Sequence, residues 1–133
     1  MENITKELQY IQSAILNDTH KNQKAIIALM ITEAIVAIKE SKITLEIPYV
    51  SEKNTDHITT ISNMVMNVKA TLISELEELN GELSRKKVNT KRALKIIQKM
   101  LDSSLYMKSV QCTINKWRGL SRSKVIKQTI TLK

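Results

Sequence analysis

The residues of this sequence whose types and spacing could do chemistry are cations, and they gather in the C-terminal part of the chain. Residues 83–133 contain 14 lysines and arginines and a single acid, Asp102, which gives +13. Residues 1–82 contain 7 lysines and 12 acids, which gives −5. Such clustering is typical of a polyanion binder, because each cation held against a phosphate releases a condensed counterion.

The basic region predicts a nucleic-acid interface and does not distinguish RNA from DNA. The only aromatic residues in this region are Tyr106 and Trp117, so few bases could stack on side chains. We therefore expect phosphate contacts with little sequence selectivity. The predicted nucleic-acid-binding residues are Arg85, Lys86, Lys87, Lys91, Arg92, Lys95, Lys99, Lys116, Arg118, Arg122, Lys124 and Lys127.

Acids just before the basic run provide an alternative interpretation of the same cations. Four glutamates, Glu75, Glu77, Glu78 and Glu82, lie just before the basic run, and a turn at Asn80-Gly81 would fold them back toward the first bases. Exposed ion pairs contribute only about 0–1 kcal/mol each, so a ligand could displace them. The sequence leaves open whether the basic face is free or masked by these acids.

Enzymatic chemistry has little support in the sequence. His20 and His57 are far apart and belong to no metal-ligand spacing, so we expect both to be polar surface residues. Cys112 is the only cysteine and has no catalytic context, and we expect it to be small and partly buried. With only two glycines, the chain cannot form a glycine-rich phosphate loop. We predict a protein that is not an enzyme, with no catalytic residues, no metal and no cofactor.

Composition also bears on compartment and on membranes. A single cysteine excludes an intramolecular disulfide and favours a reducing, intracellular location, either cytoplasm or nucleus. The N-terminal residues are polar and acidic, which is unlike a secretory signal. The longest apolar run, Ala25–Ile38, contains Thr32 and Glu33 and is shorter than the ~20 residues of a spanning helix. We expect no membrane partner.

The elements that position the cations are predicted to be helices. Two glycines and one proline leave few turn residues, which indicates an all-α fold, a small bundle of about four helices. Ile43–Ile47 and Thr129–Lys133 alternate with period two, so they either pair as a two-stranded ribbon or remain extended loops. Asn3–Glu40 is either one helix bent near Asp18 or two helices joined near residues 17–20, and poor helix propensity there favours two.

The helix predicted over Lys21–Ser41 is apolar around nearly its whole circumference. A helix of that kind must be covered on several sides, which in so small a chain favours burial between subunits. We therefore predict a homo-oligomer. The predicted oligomer interface residues are Ile4, Leu8, Ile11, Ile15, Ile27, Leu29, Ile31, Ile35 and Ile38.

Two further helices follow a linker predicted at Ser51–Asn54. The first is capped by Thr55 or Asp56 and ends near Asn80, with Gly81 either at the left-handed C′ position or as a weak point in a longer helix. The second runs from Asn89 or Thr90 to about Trp117. Its apolar stripe passes through Ile97, and Arg92, Lys95 and Lys99 form a cationic outer face.

These predictions combine into one compact domain with two functional regions and two hypotheses. Residues 1–82 form the acidic and apolar core that oligomerises, and residues 83–133 form the basic helix and tail. The first hypothesis is an oligomeric nucleic-acid binder with a packaging, nucleocapsid-associated or polymerase-accessory role, and the Ile, Lys, Thr and Asn bias fits a viral genome. The alternative is a helical adaptor whose Ala25–Ile38 segment binds a protein partner. Acids that cover the basic helix favour the adaptor, and a continuous basic surface favours nucleic acid.

Overall fold

A computed structural model describes residues 2–48, 54–102, 110–117 and 127–132. These residues are mostly helical, which confirms the all-α prediction. The elements, in chain order, are α1 (Glu2–Leu16), a 3-10 helix (His20–Gln23), α2 (Lys24–Glu40), β1 (Ile43–Pro48), α3 (Asn54–Leu83), α4 (Thr90–Leu101), α5 (110–117) and β2 (Lys127–Leu132).

The chain divides into two compact units, and α3 contributes to both. The first unit comprises Met1–Glu40 and Ala70–Ser103, and the second comprises Ser41–Lys69 and Ser104–Lys133. The division therefore runs through α3.

The chain turns sharply between α1 and α2. Asp18 adopts a positive φ of 57°, a conformation that Asp and Asn tolerate better than most residues. The Asn17 and Thr19 backbone N–H groups donate to the carbonyls of Ser13 and Ala14 at 2.9 and 2.8 Å, which satisfies the last carbonyls of α1. The prediction of two helices joined near residues 17–20 is confirmed.

The core of the first unit is built from apolar stripes in which buried residues recur every three or four positions. That spacing places each set on one helix face, so the four stripes can face one another. The buried residues are Leu8, Ile11, Ala14 and Ile15 of α1; Ile27, Ile31, Ala34 and Ile38 of α2; Leu72, Leu76, Leu79 and Leu83 of α3; and Ala93, Ile96, Ile97 and Met100 of α4.

Helix α2 is covered on one face and open on the other. Its outer face keeps Ile26, Leu29 and Val36 at 54%, 59% and 46% exposure. Most of the predicted interface residues instead lie inside the single chain, so they have no surface left for a second subunit. Those that are buried are Leu8, Ile11, Ile15, Ile27, Ile31 and Ile38, whereas Ile4 and Ile35 are half-buried and Leu29 is exposed.

Helix α3 starts earlier and ends later than the sequence predicts. It begins at Asn54, before the predicted caps Thr55 and Asp56, and it continues through Gly81 to Leu83. Gly81 is helical, and no described glycine has a positive φ, so the prediction of a left-handed C′ residue at Gly81 is wrong. The alternative, a weak point within a longer helix, fits the structure, because helical glycine is entropically unfavourable.

Helix α4 ends sooner than predicted. Asp102 leaves the helical region with φ −82° and ψ 52°, so the helix predicted to run on to Trp117 is interrupted there. Aspartate followed by two serines competes for backbone hydrogen bonds and favours helix ends. The N-terminal prediction is confirmed, because the Asn89 side chain accepts a hydrogen bond from the Arg92 backbone N–H at 3.2 Å.

The second unit contains a two-stranded antiparallel ribbon. β1 pairs with β2 in a register that sets Ile43 opposite Leu132 and Pro48 opposite Lys127. Pro48 has no backbone N–H to donate, and it lies at the end of β1, where the hydrogen bonds between the strands stop. The buried apolar residues of this unit are Ile47 of β1; Ile61, Val65 and Val68 of α3; and Val110 and Ile114 of α5.

Replacing Gly81 by alanine is expected to stabilise the protein. A Cβ built at Gly81 meets no atom within 4 Å beyond its chain neighbours and its own helix backbone, so the variant loses backbone freedom in the unfolded chain without a clash in the folded one. We expect the free energy of unfolding to rise by about 0.5–1 kcal/mol in urea denaturation. Gly81→Pro is the opposing control and should destabilise the helix. A less stable alanine variant would contradict the helical placement of Gly81.

Candidate nucleic-acid interface

The basic helix α4 is joined to α3 by a ladder of ion pairs. Glu75, Glu78 and Glu82 recur at steps of three and four, so they share one face of α3. The Glu75 and Glu78 carboxylates lie 2.8 Å from the Lys99 ammonium and the Arg92 guanidinium. The residue numbers of the paired cations fall as those of the glutamates rise, which is the order expected for antiparallel helices.

Glu82 closes the connection between the two helices. It is only 5% exposed, and its Oε1 accepts a hydrogen bond from the Asn89 backbone N–H at 2.9 Å. Its Oε2 lies 3.4 Å from Arg85 Nη1 and 3.8 Å from Arg92 Nη1. A buried carboxylate needs such partners, because an unpaired buried charge is strongly destabilising.

These contacts shift the ionisation of Glu82. The hydrogen bond from the Asn89 backbone is the main cause that lowers the pKa of Glu82, and it acts against the effect of burial. The charges of Arg85 and Arg92, and a hydrogen bond from Arg85, lower that pKa further. The carboxylate therefore stays ionised at neutral pH.

A second set of cations has no such partners. Lys86, Lys87, Lys91 and Lys95 are exposed, and none makes an ion pair with another described residue. Lys91 and Lys95 are one turn apart on α4, on the side opposite the buried stripe, whereas Arg92 and Lys99 reach α3. Like charges spaced by four residues repel, so this face gains stability when an anion neutralises it.

Two lysines that the sequence did not single out join this surface. Lys21 and Lys24 line a cavity of about 190 Å³ together with Lys86 and Lys87. Lys21 lies 3.7 Å from the Asp18 carboxylate, and Lys24 donates to the Arg85 carbonyl at 3.3 Å. Both precede the basic run by about sixty residues within the net-acidic part of the chain, so no local pattern could have found them.

The remaining predicted binding residues belong to the second unit or lie outside the described residues. Lys116 is exposed on α5, in the second unit, and Lys127 begins β2. Arg118, Arg122 and Lys124 lie outside the described residues, as does Tyr106. The candidate interface therefore rests on the first unit.

The predictions for His20 and Cys112 are wrong, and His57 has a partner that the sequence did not reveal. His20 is 2% exposed and neither ring nitrogen has a hydrogen-bond partner among the described residues. His57 is half-buried and stacks on Trp117, with ring centroids 3.9 Å apart and planes 13° apart. Cys112 is exposed rather than partly buried. Hydropathy does not reveal such placements, since they depend on which elements meet in space.

Within the described ranges, no group of three or more His, Cys, Asp or Glu side chains could hold a metal ion. The helices of the same residues include none that is both long and apolar enough to cross a membrane.

No family model, curated protein or solved structure matches this chain. The functional argument therefore depends on the geometry of the charges.

The lowered pKa of Glu82 predicts a specific pH dependence of stability. A carboxylate with a lowered pKa contributes stability above its unfolded pKa of about 4.3, and this contribution is lost as pH falls through the folded value. Glu82→Gln keeps an oxygen that can accept the Asn89 hydrogen bond but removes the charge. We expect the variant to be less stable than the wild type at pH 7, with a difference that shrinks under acid, as measured by urea denaturation across pH.

Glu77→Gln is the matched control, because Glu77 is exposed on the same helix and makes no ion pair with a described residue. A Glu77 variant as destabilised as the Glu82 variant, or a Glu82 difference that grows in acid, would contradict the role assigned to Glu82.

Proposed function

We propose that this protein binds RNA or DNA through phosphate contacts, with little sequence selectivity, as an intracellular oligomer of helical subunits. The observation that carries the proposal is the set of exposed lysines that the glutamate ladder leaves unpaired, which are Lys86, Lys87, Lys91 and Lys95. Lys21 and Lys24 extend this set across the neighbouring cavity. In this proposal the predicted bundle of about four helices corresponds to α1, α2, the C-terminal half of α3, and α4.

The unpaired lysines have the properties that phosphate binding needs. They are solvent-exposed, so they can release counterions, and they gain ion pairs on binding without breaking internal ones. Arg85, Arg92 and Lys99 differ, because each already contacts a glutamate of α3. The glutamates of α3 therefore mask only part of the basic face, because they form ion pairs with three of its cations and leave four without one in the described structure.

Weak base selectivity follows from the shortage of available aromatic rings. In the described part of the basic region the aromatic residue is Trp117, and its ring stacks on His57. Recognition of single-stranded bases depends on free aromatic faces. Phosphate contacts that fix orientation without reading sequence are the interaction that these lysines can supply.

Binding is expected to weaken steeply with salt. With about six phosphate contacts on duplex DNA, log affinity should fall against log salt with a slope near −5, or about 10³-fold between roughly 50 and 200 mM. Lys86→Gln with Lys87→Gln should reduce that slope by about 2. The measurement is fluorescence anisotropy with labelled single-stranded RNA and duplex DNA across a salt series.

Lys6→Gln with Lys39→Gln is the charge-matched control, since both lysines are exposed in the first unit and neither lines the described cavities. Failure to bind either nucleic acid at low salt, or an equal loss in the control, would contradict the proposal.

Self-association through α2 is the second part of the proposal. The outer residues Ile26, Leu29 and Val36 form an apolar face that a second copy of the chain could cover. Oligomerisation would multiply weak phosphate contacts through a high effective concentration.

A helical adaptor is the second candidate function, and the same face of α2 favours it. In that case the outer residues contact a different protein, and the ion-paired cations of α4 serve only to hold the fold. The oligomeric state of the purified protein separates the two candidates.

A charged residue at Leu29 is expected to break the oligomer. Leu29→Glu places a carboxylate in the centre of the proposed contact, where it would lose its hydration. We expect light scattering to give an oligomer for the wild type and a monomer for the variant, with unchanged circular dichroism. Leu16→Glu is the control, because Leu16 is at least as exposed as Leu29 but lies on α1. If the wild-type protein is a monomer, the adaptor function is favoured. If the Leu29→Glu variant still forms the oligomer, the proposed interface on α2 is contradicted.

A further inference from the structure

Two neighbouring cavities of the first unit share His20 and Lys24. The first, of about 190 Å³, is cationic and is lined by Asp18, His20, Lys21, Lys24, Lys86, Lys87, Val88 and Thr90. The second, of about 290 Å³, is mainly apolar and is lined by His20, Lys24, Ala25, Ile27, Ala28, Asn80, Leu83 and Ser84. Residues far apart in sequence thus build adjoining spaces of opposite character.

The cationic cavity has an excess of positive charge. Four lysines face one acid, Asp18, which is mostly exposed and lies 3.7 Å from Lys21. Thr90, the first residue of the twelve-residue helix α4, adds a helix N-terminus, whose free N–H groups and dipole favour anions. Each of these features attracts a compact, multiply charged anion such as a phosphate group.

His20 provides an independent indication of a ligand. It is 2% exposed and lines both cavities, yet both of its ring nitrogens have no hydrogen-bond partner among the described residues. The nearest carboxylate oxygen, Asp18 Oδ1, is 4.0 Å from Nδ1, which is beyond hydrogen-bond distance. Buried polar atoms are nearly always satisfied, so an imidazole that lines both cavities and has no protein partner in the described ranges is suited to hydrogen-bond a polar ligand.

The apolar cavity gives the second half of the site. Ala25, Ile27, Ala28 and Leu83 supply walls without charge, and the Asn80 amide adds a polar group that can donate and accept. Ligand sites are typically apolar with a few placed polar groups and enclose about 300–1,000 Å³. Neither cavity reaches that range by itself, but the two together do.

We propose that the two cavities form one binding site for a phosphomonoester, with the phosphate among the lysines and His20, and the organic part against α2 and α3. Two sources share this chemistry, a free nucleotide and the 5′-phosphate end of a nucleic-acid strand. The site does not require the outer lysines Lys91 and Lys95, so it stands independently of the proposed nucleic-acid binding although it shares Lys86 and Lys87 with it.

The test is isothermal titration calorimetry on the full chain with inorganic phosphate, adenosine monophosphate and adenosine. We expect the monophosphate to bind more tightly than inorganic phosphate, and adenosine to bind at least tenfold more weakly than the monophosphate, because the charge-assisted bonds are lost. A short oligonucleotide with and without a 5′-phosphate then separates the two sources. Preference for the phosphorylated strand assigns the site to strand ends, and equal binding of the two strands assigns it to free nucleotides.

Variants locate the binding. Lys21→Gln and Lys87→Gln should each lower the affinity for adenosine monophosphate by about tenfold. His20→Leu should also lower this affinity. Lys39→Gln, on the same helix as Lys24, should leave it unchanged. Absence of monophosphate binding, or binding unchanged by both lysine variants, would overturn the proposal.

Lys91→Gln with Lys95→Gln keeps this test separate from the proposed function. That pair should reduce oligonucleotide binding and leave the monophosphate unaffected. Monophosphate binding without oligonucleotide binding would remove the proposed function and keep the site, and the reverse result would remove the site and keep the function.

Discussion

The buried carboxylate of Glu82 is the contact on which the candidate surface depends. It accepts a hydrogen bond from the backbone N–H of Asn89, the residue before α4, and it forms ion pairs with Arg85 and Arg92. Because the carboxylate is almost completely buried, those partners are required for it to remain charged. The connection between α3 and α4 is thereby fixed, and with it the directions in which the cations of residues 85–99 point.

The ladder that starts at Glu82 sorts the cations of α4 into two groups. Arg92 and Lys99 face α3 and hold the helices together, while Lys91 and Lys95 face outward with no described ion pair. A net charge of +13 in the C-terminal part therefore overstates the charge that a ligand meets. Part of that charge is internal, and the available part is extended by Lys21 and Lys24 from the acidic half.

The sequence predicted those features that depend on local pattern. The apolar period of α4 placed Ile97 in the core, and Asn89 marked the start of the helix. The sequence also favoured a turn near Asp18, because helix propensity is poor there. Each of these depends on neighbours within one or two helical turns.

The features that the sequence missed depend on residues that are far apart along the chain. The direction of Arg92 is decided by Glu78, fourteen positions earlier, and burial of His20 depends on the packing around it. Gly81 resembles a helix end, but packing of Leu79 and Leu83 into the core outweighs its poor propensity. Likewise, the apolar circumference of α2 predicted cover on several sides, whereas one chain leaves Ile26, Leu29 and Val36 exposed.

The sorting of cations by the glutamate ladder is tested most directly by two variants of equal charge on the same helix. Arg92→Gln with Lys99→Gln removes two paired cations, and Lys91→Gln with Lys95→Gln removes two unpaired ones. Both variants are compared by urea denaturation and by RNA-binding anisotropy. The first variant should have a lower free energy of unfolding and should largely retain its affinity for RNA. The second should retain the free energy of unfolding and should bind RNA more weakly. Equal losses of RNA affinity in the two variants would contradict the division between structural and available cations.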